Sequence, residues 1–124
     1  MGQGGRVTTV TIPQPGPWLT ANQHTHWRNR NARTGSWRAA AASAALDPTL
    51  CVVSPFKVSA TVWRADRRRY DLDGIAPTVK ACIDGLRDAG VIEDDDTRHM
   101  TALTITHGGV DKTAPRIVLT IEED

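Results

Sequence analysis

The chain has 124 residues, of which 40% are hydrophobic, and a formal net charge of +1 at pH 7. This length suits one domain with a real core and excludes a two-domain protein. No apolar run could span a membrane, the N-terminus lacks the apolar core of a signal peptide, and two cysteines are too few for a disulfide framework or a zinc site. We therefore expect a soluble cytoplasmic protein in which Cys51 and Cys82 are buried, reduced side chains.

The arginines are unevenly distributed along the chain. Up to Leu46 there are five arginines and no acidic residue, and in the whole chain arginine outnumbers lysine twelve to three. An arginine excess suits bidentate binding of phosphate, although a GC-rich genome that favours arginine codons explains it equally well. The basic first third therefore favours a polyanionic partner without requiring one.

The first predicted element is a strand. Residues 1–5 are glycine-rich, and we expect them to be disordered. Val7–Ile12 is rich in β-branched residues, which predicts a strand that ends at Pro13. The prolines and the glycine up to Pro17 then indicate a stiff turn without regular structure.

A polar stretch from Thr20 to Thr34 has hydrogen-bonding side chains at nearly every position and one aromatic residue among arginines. We expect a loop that contacts nucleic acid, and a solvated surface is the plainer alternative. Trp27 either stacks on an unpaired base or covers the edge of the core. Two histidines at i and i+2 without a nearby carboxylate are a weak indication of a metal site. The candidate DNA contacts in this stretch are His24, His26, Trp27, Arg28, Arg30 and Arg33.

The middle of the chain predicts a helix and then a strand. Ser36–Leu46 is dominated by alanine, which predicts a helix of little bulk that packs closely against a sheet. Phe56–Arg64 alternates apolar and polar side chains, as a strand does. The basic segment Arg64–Arg69 would help to hold a polyanion next to the carboxylates beyond it, and its candidate DNA contacts are Arg67, Arg68 and Arg69.

Two acidic clusters flank the second predicted helix. Asp71 and Asp73 lie two apart, so in extended backbone both carboxylates project from the same side and can share one cation. Pro77 and Gly90 mark the two ends of the helix, whose apolar residues recur every three or four positions. Lys80 falls in the first turn, near Asp73, where helix N–H groups favour a phosphate.

The second cluster is Glu93–Asp96. It reaches Asp71 and Asp73 only if the fold or a second subunit brings it back, because one helix leaves its two ends far apart. Three aspartates that converge with a lysine form a hard-oxygen site for Mg²⁺ or Mn²⁺, which would activate water for phosphodiester hydrolysis. An Asp-x-Asp pair is also common as plain surface charge, and the chain has no glycine-rich phosphate loop, so no nucleotide cofactor is expected.

The last two elements are predicted strands. Thr101–His107 and Arg116–Glu122 carry strand patterns, and the glycines and polar residues of Gly108–Lys112 indicate a turn, so we expect a hairpin. The whole chain, residues 1–124, is thus predicted to be one α+β domain with a roughly four-stranded mixed sheet and two helices.

The central stretch resembles a known family. The residues that carry the resemblance are Arg67-Arg68-Arg69-Tyr70-Asp71-Leu72-Asp73, then Lys80-Ala81-x-x-Asp84-x-Leu86, then Ala89-Gly90 and Asp94-Asp95. In this order they resemble the RusA family of Holliday junction resolvases, and a weaker similarity extends over essentially the whole domain. Gly74 stands where familiar members have asparagine, and Ala76–Thr78 lengthens the path to Lys80.

The resemblance implies a Mg²⁺ site, in which Mn²⁺ can substitute, with Asp71, Asp73 and Asp95 as ligands and Lys80 assisting. Three consecutive aspartates leave the third ligand ambiguous; Asp95 is favoured and Asp94 is the reserve. The resemblance also implies a homodimer that makes symmetric paired nicks in four-way DNA junctions during recombination and repair. The partners are then branched DNA and a second copy of the chain, in a bacterial or phage-infected cell.

Two other function classes fit parts of the pattern. A non-catalytic protein that grips branched DNA would use the arginines and leave the acids as surface charge. A metal-dependent phosphohydrolase of small phosphate esters would use the acids alone. The basic, acid-free N-terminal part argues against the phosphohydrolase, because a small substrate needs no extended basic surface.

Overall fold

The computed structural model describes residues 5–20 and 27–124, which form four strands and two helices. The strands are β1 (Val7–Pro13), β2 (Phe56–Arg64), β3 (Met100–Val110) and β4 (Arg116–Glu123), and the helices are α1 (Trp27–Ala44) and α2 (Ala76–Asp88). A short 3-10 helix, Asp73–Ile75, leads directly into α2. The predicted α+β class, with a four-stranded mixed sheet and two helices, is confirmed. Residues 1–4 of the segment predicted to be disordered lie outside the described residues.

The strand order is β1-β4-β2-β3, with β2 and β3 parallel and the other neighbours antiparallel. The predicted hairpin of the last two strands is therefore wrong, because β2 lies between them. Gly108 and Gly109 misled the prediction: they lie inside β3, where a Cβ on Gly108 would come within 2.7 Å of the Trp63 ring. The turn is instead formed by residues 111–115, which cross the end of β2, where the Asp111 N–H donates to the Arg64 carbonyl at 2.7 Å.

Alternation along the two central strands places the core on one face of the sheet. The inward residues of β2 and β4 are buried, and they pack in one cluster with the apolar side of α2 and with Trp37 and Ala41 of α1. Each fully buried aliphatic or aromatic side chain contributes about 1.5–3 kcal/mol to stability. β3 is an edge strand and is exposed over most of its length. Neither helix in the described part of the chain is long and apolar enough to cross a membrane.

Helix α1 begins at Trp27, well before the predicted start at Ser36. The predicted loop is thus wrong from Trp27 onward, because the arginines and alanine of this stretch are good helix formers. The sequence of this stretch resembles that of a loop because the first turns of α1 extend beyond the core. Only Trp37 and Ala41 of this helix are buried. Residues 21–26 lie outside the described part of the chain.

The two cysteines differ in their surroundings. Cys82 is buried, as predicted, whereas Cys51 is exposed, so the prediction for Cys51 is wrong. Cys51 lies in the irregular segment before β2, where the neighbouring Val52 is buried instead and donates its backbone N–H to the Val91 carbonyl at 2.8 Å. Burial raises the pKa of the Cys82 thiol to about 12.

One thiol of the native protein should therefore react with an aromatic disulfide reagent at mildly alkaline pH. Cys51 is accessible, while Cys82 is shielded and stays protonated, so the second equivalent should appear only on unfolding. Spectrophotometric titration with and without denaturant measures this, with Cys51→Ser as the control that removes the fast phase. Equal reactivity of both thiols would contradict the burial of Cys82.

The two helices approach each other closely at Gly85. A Cβ at this position would lie 2.3 Å from the Arg38 carbonyl oxygen and 2.7 Å from the Ala41 Cβ. The Arg38 backbone and the Ala41 methyl group therefore occupy the space that a side chain at Gly85 would need. The small residues of α1 were predicted to allow close packing against a sheet; α1 does contact β1, and its small residues also allow it to pack closely on α2. Beside this contact, the Arg38 guanidinium forms two hydrogen bonds with the Asp88 carboxylate.

Gly85→Ala should lower the free energy of unfolding by about 1–3 kcal/mol, because the added methyl group forces the helices apart. Gly35→Ala is the matched control, since Gly35 is also inside a helix but a Cβ added there would have nothing within 4 Å. It should raise the free energy of unfolding by about 0.5–1 kcal/mol. Urea denaturation followed by circular dichroism measures both, and a stabilising Gly85→Ala would refute the close approach.

Candidate active site

Lys80 ties the second acidic cluster to α2. Its Nζ lies 2.5 Å from Asp95 Oδ2 and 2.7 Å from Asp84 Oδ1. The chain returns because Gly90, with φ of 79°, takes the left-handed conformation past the helix end, and the next residue, Val91, is buried. The fold of a single subunit therefore places Asp95 beside Lys80.

This ion pair keeps the Asp95 carboxylate ionised. The hydrogen bond from Lys80 holds the pKa of Asp95 below its ordinary value, against the opposing effect of burial. Partial burial lowers the pKa of Lys80, but its hydrogen bonds to Asp84 and Asp95 together raise it by more. The Lys80 side chain is 58% exposed and that of Asp95 only 16%, so the lysine is the more accessible partner.

The position of Lys80 on the helix differs from the prediction. We placed it in the first turn, but α2 begins at Ala76 and follows the 3-10 helix Asp73–Ile75 without a break. Lys80 therefore lies in the second turn, where its own N–H already has a helical partner. The attraction of helix N–H groups for anions falls off within the first turn, so phosphate binding at Lys80 depends on its side chain.

The backbone around Asp71 and Asp73 is also not extended. Leu72 between them has helical dihedral angles, φ −61° and ψ −41°, and Asp73 begins the 3-10 helix. The prediction that both carboxylates project from the same side of a strand is therefore wrong, because Asp73 already belongs to the start of the helix. Both residues are exposed, and within residues 5–20 and 27–124 neither side chain forms a hydrogen bond or an ion pair.

Asp71, Asp73 and Asp95 are not gathered into a ready ligand set. Among the described residues, the only three possible ligand atoms that lie within 4.8 Å of one another belong to Asp94, Asp96 and His99. That group is already internally paired, since Asp96 binds both Arg98 and His99. By donor chemistry, three ionised carboxylates suit Mg²⁺, and the side chains of Asp71 and Asp73 have no competing partner among the described residues.

Asp71 lies on the wall of a cleft of about 510 Å³ that we call the arginine cleft. The residues important for its chemistry are Trp18, Arg33, Arg64, Arg69, Tyr70 and Asp71. A second cleft of about 380 Å³ shares Arg69 and Tyr70 with the first and is lined also by Asp66, Arg67, Arg68, Leu72 and His107. Asp66 Oδ2 lies 3.8 Å from Arg68 Nε, so the arginine run borders both clefts but has one acidic partner in the second.

Four further predicted DNA contacts, Trp27, Arg28, Arg30 and Arg33, lie in the first turns of α1. Trp27 is 61% exposed, which argues against its covering the core, and the Arg28 guanidinium lies 5.4 Å from its ring centroid. Arg30 donates from Nη1 to the Thr20 carbonyl at 3.0 Å. Of the α1 arginines proposed to contact DNA, Arg33 lines the arginine cleft. His24 and His26 lie outside the described residues, so their proposed roles stay predictions.

Three residues of the arginine cleft received no site role of their own from the sequence: Trp18 was not singled out, Arg64 was only the start of the basic segment, and Tyr70 was only part of the motif. A signal for Arg64 was present, because the alternation of β2 buries every second residue from Phe56 to Val62 and so assigns the next such position, Arg64, to the core side. An arginine at a position that the strand pattern predicts to be apolar indicates a role other than packing. Nothing in the sequence pairs it with Trp18, which is distant along the chain.

The acidic turn contains a titratable contact of its own. Asp96 Oδ1 lies 2.8 Å from His99 Nδ1, and this hydrogen bond raises the pKa of His99 above its ordinary value. A raised native-state pKa stabilises the fold below the unfolded-state value of about 6.5. That stabilisation is lost as the pH rises through the higher native-state pKa.

The free energy of unfolding should therefore fall more steeply for the wild-type protein than for His99→Gln as the pH rises above about 6.5. Denaturation in chelator at a series of pH values measures the difference, which isolates the histidine because both proteins share all other groups. Parallel pH profiles would contradict the Asp96–His99 contact.

Comparison of the sequence with protein-family models gave no match, and comparison with curated proteins gave none either. The functional assignment therefore depends on the motif of the sequence and on the geometry of the two clefts and of α2.

Proposed function

We propose that the chain is a Mg²⁺-dependent endonuclease that resolves four-way DNA junctions by symmetric paired nicks. The observation that carries the proposal is the position of Asp71: an exposed carboxylate, without a side-chain partner among the described residues, lines the same cleft as Arg33, Arg64 and Arg69. Guanidinium groups bind phosphate oxygens, and a free carboxylate beside them binds a cation rather than the phosphate. Metal-dependent cleavage of a phosphodiester uses both.

The residues of α2 and its flanking turns would complete the site. Asp71, Asp73 and Asp95 are the proposed ligands of Mg²⁺, with Asp94 in reserve for the third. The chemistry that Mg²⁺ supplies in nucleases is activation of water and neutralisation of charge on phosphate oxygens. Lys80 holds Asp95 in its ionised form at α2 and, being the more exposed partner, has one further N–H donor for a phosphate oxygen.

A homodimer fits this activity. A four-way junction presents equivalent strands related by approximate two-fold symmetry, and two identical subunits related by a two-fold axis would present two equivalent sites. Paired nicks at symmetric positions then follow from geometry alone. Such an enzyme would act in the cytoplasm, on the branched DNA of recombination and repair.

One observation favours a second candidate, a protein that binds branched DNA without cutting it. The carboxylates of Asp71, Asp73 and Asp95 are not gathered within ligand distance of one another, whereas the arginines of the two clefts are in place. Binding without catalysis would need only the arginines. Its signature is junction binding that is indifferent to divalent metal and steeply weakened by salt.

Asp73→Asn should reduce nicking of a labelled four-way junction by roughly a hundredfold or more, because loss of one negative ligand weakens metal binding. Junction binding should stay within about twofold, since the arginines are untouched. Electrophoresis of a junction and of a matched linear duplex, each with Mg²⁺ and with chelator, measures both properties. Only the junction with Mg²⁺ should be nicked by the wild-type protein.

Asp124→Asn is the matched control, because Asp124 is an exposed aspartate next to Pro55, at the end of β2 opposite to Arg64. It should nick like the wild-type protein. Retained cutting by Asp73→Asn in Mg²⁺ would reject the assigned ligand, and junction binding without nicks in any metal would favour the non-catalytic candidate.

A further inference from the structure

Arg64 occupies an unusual place for a charged residue. It ends β2 on the side of the sheet that carries the core, where its Nη1 is buried and has no hydrogen-bond partner among the described residues. Nor does its guanidinium form an ion pair with any of them, although Asp71 lines the same cleft. A buried, unpaired guanidinium nitrogen destabilises a fold, so its presence calls for an explanation other than packing.

Two aromatic rings hold this guanidinium in place. Arg64 Cζ lies 5.0 Å from the ring centroid of Trp18 and 4.4 Å from that of Tyr70. Ring contacts of this kind cover the flat surface of a guanidinium and leave its N–H donors, which lie in the plane, for hydrogen bonding. In-plane donors suit the oxygens of a phosphate, which accept a guanidinium edge in bidentate fashion.

Both rings are themselves anchored. Trp18 packs on the fully buried Trp37, with ring centroids 4.7 Å apart, and the Trp37 Nε1 donates to the Pro17 carbonyl at 3.0 Å. The Tyr70 hydroxyl lies 2.5 Å from His107 Nδ1 on β3. Helix α1 thus supports the Trp18 ring, and strand β3 supports the Tyr70 ring. The orientation of the Arg64 guanidinium is therefore set before any ligand binds.

The segment that carries Trp18 is also tied to α2. The Thr78 hydroxyl donates to the Leu19 carbonyl at 2.5 Å and accepts from the Leu19 N–H at 3.0 Å, and Thr78 is completely buried. One short segment therefore links the Arg64 guanidinium to the helix that bears Lys80. A ligand bound at Arg64 would be fixed relative to the candidate catalytic residues.

We propose that Arg64, clamped by Trp18 and Tyr70, binds a backbone phosphate of a DNA strand that runs from the arginine cleft past Tyr70 into the second cleft. This inference rests on the DNA substrate of the proposed function but not on cleavage. A strand fits better than a small phosphate ester because Arg69 and Tyr70 line both clefts, so basic side chains continue along a path longer than one phosphate. In the second cleft Arg68 is paired with Asp66, whereas Arg67 and Arg69 form no ion pair with any described residue and are available to further phosphates of a strand.

Arg64→Gln should weaken binding of a four-way junction about tenfold in chelator, the loss expected for one charge-assisted contact. The slope of log affinity against log salt concentration should fall by about one, because one fewer counterion is released. Arg64→Lys should recover part of the affinity, since it keeps the charge and loses the planar donors. Fluorescence anisotropy over a range of salt concentrations measures all three proteins.

Lys112→Gln is the control, because it removes one exposed positive charge that lines neither cleft. Its affinity and salt slope should match those of the wild-type protein. Thermal melting verifies that each variant is folded. If Arg64→Gln does not fold, Arg69→Gln tests the same path at an exposed residue that lines both clefts, and it should show the same loss.

The outcomes separate the possible ligands. Junction affinity that is unchanged in a folded Arg64→Gln, or in Arg69→Gln if that variant is used, would overturn the proposal. Protection of the wild-type protein against thermal unfolding by inorganic phosphate, abolished in Arg64→Gln while junction binding is unchanged, would assign the cleft to a free phosphate ester and overturn the DNA path. Arg64-dependent junction binding by a protein that never nicks would support this inference and reject the nuclease.

Discussion

The contact between the two helices at Gly85 underlies the packing that supports the arginine cleft from the side of α1. Because Gly85 has no side chain, α1 can approach until its backbone at Arg38 meets α2. This approach carries Trp37 into the core, where its indole supports Trp18. Trp18 in turn covers Arg64 at the end of β2. A chain of packed side chains thus links the interior of the fold to a charged group at its surface.

Most acidic side chains in the described part of the chain are paired with a basic one, but Asp71 in the arginine cleft is an exception. On α2, Lys80 is paired with Asp84 and Asp95, whereas in the arginine cleft Asp71 forms no ion pair with Arg64 or Arg69. Pairing would neutralise both the carboxylate and the guanidinium groups. Their separation leaves a basic surface for an anion and a carboxylate for a cation at the same place, which is the electrostatic requirement of phosphodiester chemistry.

Much of the architecture could be predicted from local patterns, because they report on burial. The alternation in β2 and the three- and four-residue repeat in α2 reflect one buried face each, so these elements and the α+β class were predictable. The hairpin was not, because glycines serve close packing against Trp63 as readily as they serve a turn. The start of α1 was missed for a related reason: a polar helix that projects beyond the core has no apolar repeat.

The candidate site was likewise predictable only where its residues are close together in the sequence. Lys80 and Asp95 are close together in the sequence, and the motif predicted that both belong to one site. The structure shows their ion pair. The prediction that Asp71 and Asp73 lie in extended backbone was wrong because Asp73 starts a helical turn. Arg64, Trp18 and Tyr70 come from three separate segments, and only the packing of both helices on the sheet brings them together.

The strand order has a consequence for how the chain folds during synthesis. β4, which follows the other three strands in chain order, is central and pairs with both β1 and β2. Until β4 emerges, β1 has no neighbour and the inward faces of both strands lack part of their core. The nascent chain therefore cannot complete its sheet one hairpin at a time, and folding waits for pairings across nearly the whole sequence, which is a slow kind of search.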